Sequence, residues 1–152
     1  MDDFELYPCC KLKSSGIIGG QHSTAVKPSI LVVDDDEDNL LLMAYILEHL
    51  HCSALTASDG LSALSLARIY QPDLILLDVL MPYMDGMEVV SQLRKDSKIS
   101  RIPVIAVTAL ALAEDRGRLL RAGFNDYISK PYMLEDIEVT VQRHLRLLAT
   151  IS

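Results

Sequence analysis

The sequence predicts an α/β fold, a five-stranded doubly wound parallel sheet with five helices in a single domain. Three observations carry that expectation. From about residue 28 onward, strand-like apolar runs alternate with segments of helical period, the order that builds right-handed crossovers. Several runs are apolar throughout, as strands buried on both faces of a parallel sheet are. Four runs end on a reactive polar residue: Val33 on Asp34-Asp35-Asp36, Leu77 on Asp78, Val107 on Thr108 and Ser129 on Lys130. Open α/β sheets place ligands at the carboxyl ends of their strands, so these groups converge on one edge and suit a metal ion and a phosphoryl group.

Residues 1 to 28 lack a sustained period and contain Ser14-Ser15-Gly16 and Gly19-Gly20, which reads as a flexible N-terminal arm. Ile30 to Val33 is the first strand. Leu40, Met43, Ala44, Leu47 and Leu50 then form the apolar stripe of a helix from about Asp38 to Leu50, with Asp36 or Asp38 available to cap it. Cys52 to Ala57 is a weaker second strand, and Ser58 can cap a helix whose Leu61, Leu64 and Ile69 face inward before Pro72 ends it. Leu74 to Leu77, the most apolar run, is the third strand. The loop Met81-Pro82-Tyr83-Met84-Asp85-Gly86 has the chemistry of a sharp turn, and a short helix follows through Val89, Val90 and Leu93. Pro103 introduces the fourth strand, Val104 to Val107, and the next helix, about Ala113 to Ala122, stops at Gly123. Tyr127 to Ser129 is the fifth strand, Pro131 turns the chain, and the last helix, about Leu134 to Leu148, carries Ile137, Val139, Val141, Leu145 and Leu148.

The 152 residues fit one domain, and with half of them hydrophobic a substantial core can form. Fourteen Lys and Arg against 21 Asp and Glu give a net charge of −7, which excludes nucleic acid or an anionic membrane as the main partner because both would be repelled. Cys9, Cys10 and Cys52 make no disulfide framework, which fits a reducing cytoplasm. The opening Met1-Asp2-Asp3-Phe4-Glu5 is unlike a secretion signal, and no apolar run approaches the roughly 20 residues that cross a bilayer. The expected protein is cytoplasmic. His22, His49, His51 and His144 are scattered and read as surface or packing groups.

Short acidic runs usually cap a helix in water, but Asp34 and Asp35 come directly off a buried strand and so face the sheet edge. Asp78 is delivered to the same edge by four apolar residues. Carboxylates gathered there repel one another unless they share a cation. Oxygen ligands with no His or Cys nearby favour Mg²⁺ over Zn²⁺. Lys130 can hold phosphoryl oxygens beside such an ion, and Thr108 adds a neutral donor; each alone would read as an ordinary surface group. Lys130-Pro131 is a candidate cis peptide bond.

The stretches Ile30 to Asp35, Pro72 to Asp78, Met81-Pro82 with Met84-Asp85-Gly86, Pro103 to Ala109 and Tyr127 to Pro131 together resemble the receiver domain of two-component response regulators. Five such stretches in the right order are highly specific where any one would be weak. The resemblance implies a receiver over residues 29–149 with a short tail at 150–152, and the flavodoxin-like strand order 2-1-3-4-5. It implies Asp78 as phosphoacceptor and also a Mg²⁺ ligand, Asp35 as a direct Mg²⁺ ligand, Asp34 as a ligand through water, and the Leu80 carbonyl as a further ligand. Thr108 and Lys130 match the residues that contact the phosphoryl group, and Tyr127 matches the aromatic switch position. The partners implied are a sensor histidine kinase or a His phosphotransfer protein, and a downstream protein docked on the face of the fourth helix, fifth strand and fifth helix. In this reading the chain is not an enzyme but a phosphoacceptor that assists its own phosphorylation and dephosphorylation.

Two positions depart from the many receivers that carry polar groups there: Leu80, two residues after Asp78, and Leu110, two after Thr108. Apolar side chains at the mouth hinder an attacking water, which implies a long-lived phosphoryl state. Tyr83 also occupies a loop position that is often small. With the chain stopping at Ser152, it resembles free-standing receivers that act by docking; a receiver cut from a hybrid histidine kinase looks similar. The rival from another class is a phosphatase of the haloacid dehalogenase type, since Asp34 and Asp36 satisfy its Asp-x-Asp spacing, although Asp78 then lacks a role. A flavodoxin-like cofactor module would need a phosphate-cradling first loop, which three aspartates oppose. An interaction-only domain would not need the full acidic set with Thr108 and Lys130.

Overall fold

The computed structural model describes residues 27–109 and 113–151. The arm expected over residues 1–28 lies outside these except for its last two residues, as do Cys9, Cys10, His22 and Leu110. In chain order the elements are β1 (Ser29–Val33), α1 (Glu37–His49), β2 (Ser53–Ala57), α2 (Gly60–Tyr70), β3 (Leu74–Asp78), α3 (Gly86–Lys95), β4 (Val104–Thr108), α4 (Ala113–Ala122), β5 (Asp126–Ser129) and α5 (Leu134–Ile151). All strand pairs are parallel and the sheet order is β2-β1-β3-β4-β5. This is the doubly wound architecture that the alternating pattern predicts, in the flavodoxin-like order that the resemblance implies.

The strands alternate their side chains between two apolar layers. Leu31, Val33, Ile75, Leu77 and Ala106 pack with α2, α3 and Leu119 of α4 on one face. Ile30, Val32, Leu74, Leu76, Ile105 and Val107 pack with α1 and α5 on the other. Both faces of β3 and β4 are closed, so each of their residues is buried. Burying an aliphatic side chain of this kind contributes roughly 1.5–3 kcal/mol, which makes these central strands the firmest part of the platform. Cys52 belongs to the same core, and burial pushes its thiol up to about 11, so it acts as a neutral packing group.

Three aspartates start helices. Asp36 accepts from the Asp38 N–H, Asp59 from the Ser62 N–H and Asp85 from the Glu88 N–H. Asp59, not Ser58, therefore caps α2, because its carboxylate sits the correct three residues before a free N–H. The inward face of α2 also differs from the expected one. Leu64 is buried, but Leu61 and Ile69 point to solvent, and Gly60, Ala63 and Ala67 face the core instead. The reason is close packing against α3: a Cβ on Gly60 would lie 2.8 Å from the Met84 sulfur and 2.9 Å from a Val89 methyl. Only small side chains let the two helices approach that far. On α5, Ile137 and Val141 are buried while Val139 is exposed, because its position falls on the solvent side of the helical period.

A single side chain ties the far end of the fold together. Arg94 of α3 uses all five guanidinium N–H donors, two on the Gly123 carbonyl, one each on the Ser100 and Ile102 carbonyls, and one on Asn125 Oδ1, at 2.7–3.0 Å. Asn125 Oδ1 also accepts the Val104 N–H at 2.8 Å. Gly123 ends α4 with φ +120°, and its carbonyl is thereby pinned to α3. No described helix is long and apolar enough to cross a membrane. We predict that Arg94→Lys, whose ammonium cannot reproduce the planar fork, destabilises the fold by about 2–4 kcal/mol, read as a lower urea midpoint with an unchanged slope.

Candidate functional site

The parallel register brings the strand-end residues together. Val33 pairs with Leu77, so Asp34 and Asp78 leave neighbouring strands side by side. The ladder between β1 and β2 extends to Asp34, whose N–H donates to the Ala57 carbonyl at 3.2 Å. Thr108 pairs with Ser129, and the Lys130 N–H donates to the Thr108 carbonyl at 2.8 Å. Asp34, Asp78 and Thr108 are buried, Lys130 is half-buried and Asp35 is exposed at the rim. One carboxylate oxygen each from Asp34, Asp35 and Asp78 lie within 4.8 Å of one another.

Lys130 Nζ stands between the two buried carboxylates, 3.3 Å from Asp34 Oδ2 and 3.5 Å from Asp78 Oδ2. Burial pulls its pKa down, but Asp78 and Asp34 together outweigh this and hold it above the ordinary lysine value. Burial is also the largest influence on Asp78 and raises its pKa; Lys130 opposes the rise, Asp34 adds to it, and the Leu80 N–H on Asp78 Oδ1 at 3.1 Å opposes it again. Asp34 Oδ1 accepts the Asp36 N–H at 2.9 Å, and its Oδ2 accepts the Asn39 side-chain amide at 3.2 Å. Asn39 is absent from the sequence expectation. Its signal is faint, a lone polar residue one turn into α1 beside the buried Leu40.

The loop after β3 closes over the site through backbone geometry. Gly86 donates its N–H to the Val79 carbonyl at 2.9 Å. A Cβ there would lie 2.6 Å from the Asp78 carbonyl oxygen, so only glycine allows the approach. The Met84 N–H reaches back to the Pro82 carbonyl at 2.8 Å around Tyr83, which is held at φ +68° with its ring wholly exposed. Such a conformation costs a non-glycine residue on the order of 1–3 kcal/mol, and no packing of the ring offsets it. Leu80 is 54% exposed at the mouth. The Lys130-Pro131 peptide bond is cis.

Tyr127 lies apart from this cluster. It pairs with Ala106 across β4 and β5, is half-buried, and has the Arg116 guanidinium of α4 5.5 Å from its ring centroid. Among the described residues, the His49 ring lies tilted against Tyr45 with centroids 4.7 Å apart, and His144 bonds Asp126 at 3.0 Å. The donor set of three carboxylates without His or Cys fits a hard divalent cation such as Mg²⁺, because a single ammonium leaves their charge only partly compensated.

A family profile for the response regulator receiver domain matches residues 30–142. The polar-differentiation response regulator DivK of Brucella anthropi is 38% identical over 117 residues, which covers 77% of this chain and 95% of that protein. The receiver domain of the Francisella response regulator 1452 superposes with a TM-score of 0.76 at 30% identity, covering 80% of this chain and 99% of that one. The receiver domain of sensor histidine kinase PA1611 from Pseudomonas aeruginosa, solved with a magnesium ion coordinated in its active site cleft, superposes with a TM-score of 0.71 at 33% identity, covering 77% and 96%. The chain belongs to the response regulator receiver domain family of two-component signalling. Members of this family are phosphoacceptors that interact with histidine kinases or phosphotransfer proteins. The haloacid dehalogenase reading fails on both counts available: the family is different, and Asp36, the second residue of its motif, caps α1 instead of entering the cluster.

Because the folded state raises the Asp78 pKa above the unfolded value of 3.8, this residue's contribution to stability is full below 3.8 and is lost as pH rises through the raised folded value. We therefore predict that Asp78→Asn stabilises the protein at neutral pH in metal-free buffer. The gain should shrink as pH falls through the raised Asp78 value and be gone below about 4, measured as the difference in thermal midpoint between the two proteins across a pH series.

Proposed function

We propose that the protein is a phosphorylation-switched signalling module that accepts a phosphoryl group on Asp78 from a phosphohistidine of a sensor histidine kinase or His phosphotransfer protein. The observation that carries this reading is the buried Asp78 carboxylate, set beside Lys130 and Asp34 at the carboxyl edge of the sheet. An Asp78 oxygen attacks phosphorus in line, the P–N bond to imidazole breaks with its electron pair returning to the ring, and an acyl phosphate remains. Lys130 moves from bridging two carboxylates to holding a phosphoryl oxygen, a charge placed in advance where negative charge develops. Thr108 donates its hydroxyl to another of those oxygens. Asp35 and the Leu80 carbonyl would hold Mg²⁺ directly and Asp34 through water. When bound, that ion supplies charge neutralisation between the incoming phosphoryl oxygens and the carboxylates.

The output face is formed by α4, β5 and α5. Tyr127 supports that assignment, because its half-buried ring joins β5 to Arg116 of α4 and so feels both elements. Displacement of Thr108 toward the phosphoryl group makes room for the ring to turn inward, and the altered face is read by a downstream protein. The likeness to the PA1611 receiver supports a second context, a receiver that serves a histidine kinase; Asp78 has the same role in both.

Incubation with Mg²⁺ and acetyl phosphate should add one phosphoryl group per chain, seen by intact mass. Asp78→Asn and chelation by EDTA should each abolish it, and labelling that survives Asp78→Asn would sink the assignment. The apolar Leu80 side chain at the mouth cannot itself orient a hydrolytic water. Leu80→Asn should therefore accelerate loss of the phosphoryl group by roughly tenfold or more, within the range that a positioned proton acceptor contributes, and an unchanged decay rate would count against that explanation.

A further inference from the structure

We propose that Asn39 is a positioning residue of the phosphoacceptor site, holding the Asp34 carboxylate so that one of its lone pairs is left for a divalent cation and Lys130 is left for Asp78. The proposal rests on the functional reading above. A carboxylate offers about four acceptor directions. Three of those on Asp34 are taken, by the Asp36 N–H at 2.9 Å on Oδ1 and by Asn39 Nδ2 at 3.2 Å and Lys130 Nζ at 3.3 Å on Oδ2. When Lys130 turns to a phosphoryl oxygen on Asp78, the Asn39 amide is the side-chain donor that stays on Asp34.

The residue type fits this task. A neutral amide fixes the carboxylate without cancelling its charge, so the pocket keeps its attraction for a cation, which a lysine or arginine at the same place would remove. Groups that orient a ligating carboxylate in this manner commonly control metal affinity. Helix formation does not account for the choice. Asn39 is the third residue of α1, after the Asp36 cap, and asparagine is a weaker helix former than alanine or leucine. A Glu or Gln in this place would fold back onto the cap, whereas the Asn39 amide reaches Asp34 instead.

The test uses the full chain with Asn39→Ala and Asn39→Leu. Mg²⁺ binding is measured by calorimetry without phosphodonor, and labelling by acetyl phosphate is followed across a Mg²⁺ series. Both variants should bind Mg²⁺ about tenfold more weakly. The Mg²⁺ concentration for half-maximal labelling should rise by about the same factor, while the rate at saturating Mg²⁺ stays within about twofold of wild type. Loss of one hydrogen bond to Asp34 should lower the thermal midpoint in metal-free buffer by only a few degrees, leaving both variants folded at the assay temperature, so that weaker Mg²⁺ binding by the folded protein separates positioning from a purely structural role. Wild-type Mg²⁺ binding with unchanged variants overturns the Asn39 proposal alone. Failure of the wild-type chain to bind Mg²⁺ or to be labelled overturns the functional reading and the Asn39 proposal with it.

Discussion

Two carboxylates that leave adjacent strands into a buried pocket must be held against their own repulsion, and Lys130 does so from 3.3 Å and 3.5 Å. Everything else at the site follows from that constraint. Parallel register fixes Asp34 beside Asp78, and the backbone bond between Lys130 and Thr108 fixes the ammonium relative to the hydroxyl. Backbone N–H groups of Asp36 and Leu80, and the Asn39 amide, take up further carboxylate lone pairs. A pair of buried carboxylates with fewer donors would neutralise itself by taking up a proton, and an uncharged Asp78 is a poor nucleophile.

The scaffold spends its rigidity where the site needs it. β3 and β4, closed on both faces, carry Asp78 and Thr108, while the exposed Asp35 and Leu80 stand on the loops above them. At the opposite edge Arg94 locks the end of α4 to α3 and to the start of β4 through Asn125. The face of α4 and β5 therefore rests on a fixed base. Tyr127 with Arg116 over its ring lies on the part of that face nearer the site.

The strand-end residues were readable in the sequence because each follows an apolar run, and the end of such a run in a parallel sheet has one destination. The fold class was readable for the same reason. Finer choices depend on distances that a pattern does not contain. Ser58 and Asp59 are both good caps, and only the register of α2 selects the second. Leu61 and Ile69 have the right spacing to be buried, but the short distance between α2 and α3 admits Gly60 and Ala63 in their place. Asn39 acquires a role only because the first turn of α1 passes beside Asp34, which no local pattern announces.

The charges in the pocket have a consequence for how a message leaves it. Three carboxylates and one ammonium leave two negative charges uncompensated, the amount one divalent cation cancels. A site so balanced has no reserve. Covalent attachment of a phosphoryl group would replace the single charge of the Asp78 carboxylate with roughly one and a half to two on the acyl phosphate, a gain of up to about one negative charge. The charge of Lys130 is already counted in that balance whichever oxygen it holds, so the excess would fall on neutral dipoles, chiefly the Thr108 hydroxyl and nearby N–H groups. Such dipoles answer a charge by moving toward it. On the proposed phosphoacceptor reading, signalling would be the export of a local failure of electroneutrality, converted from charge into displacement one strand away from where it arises.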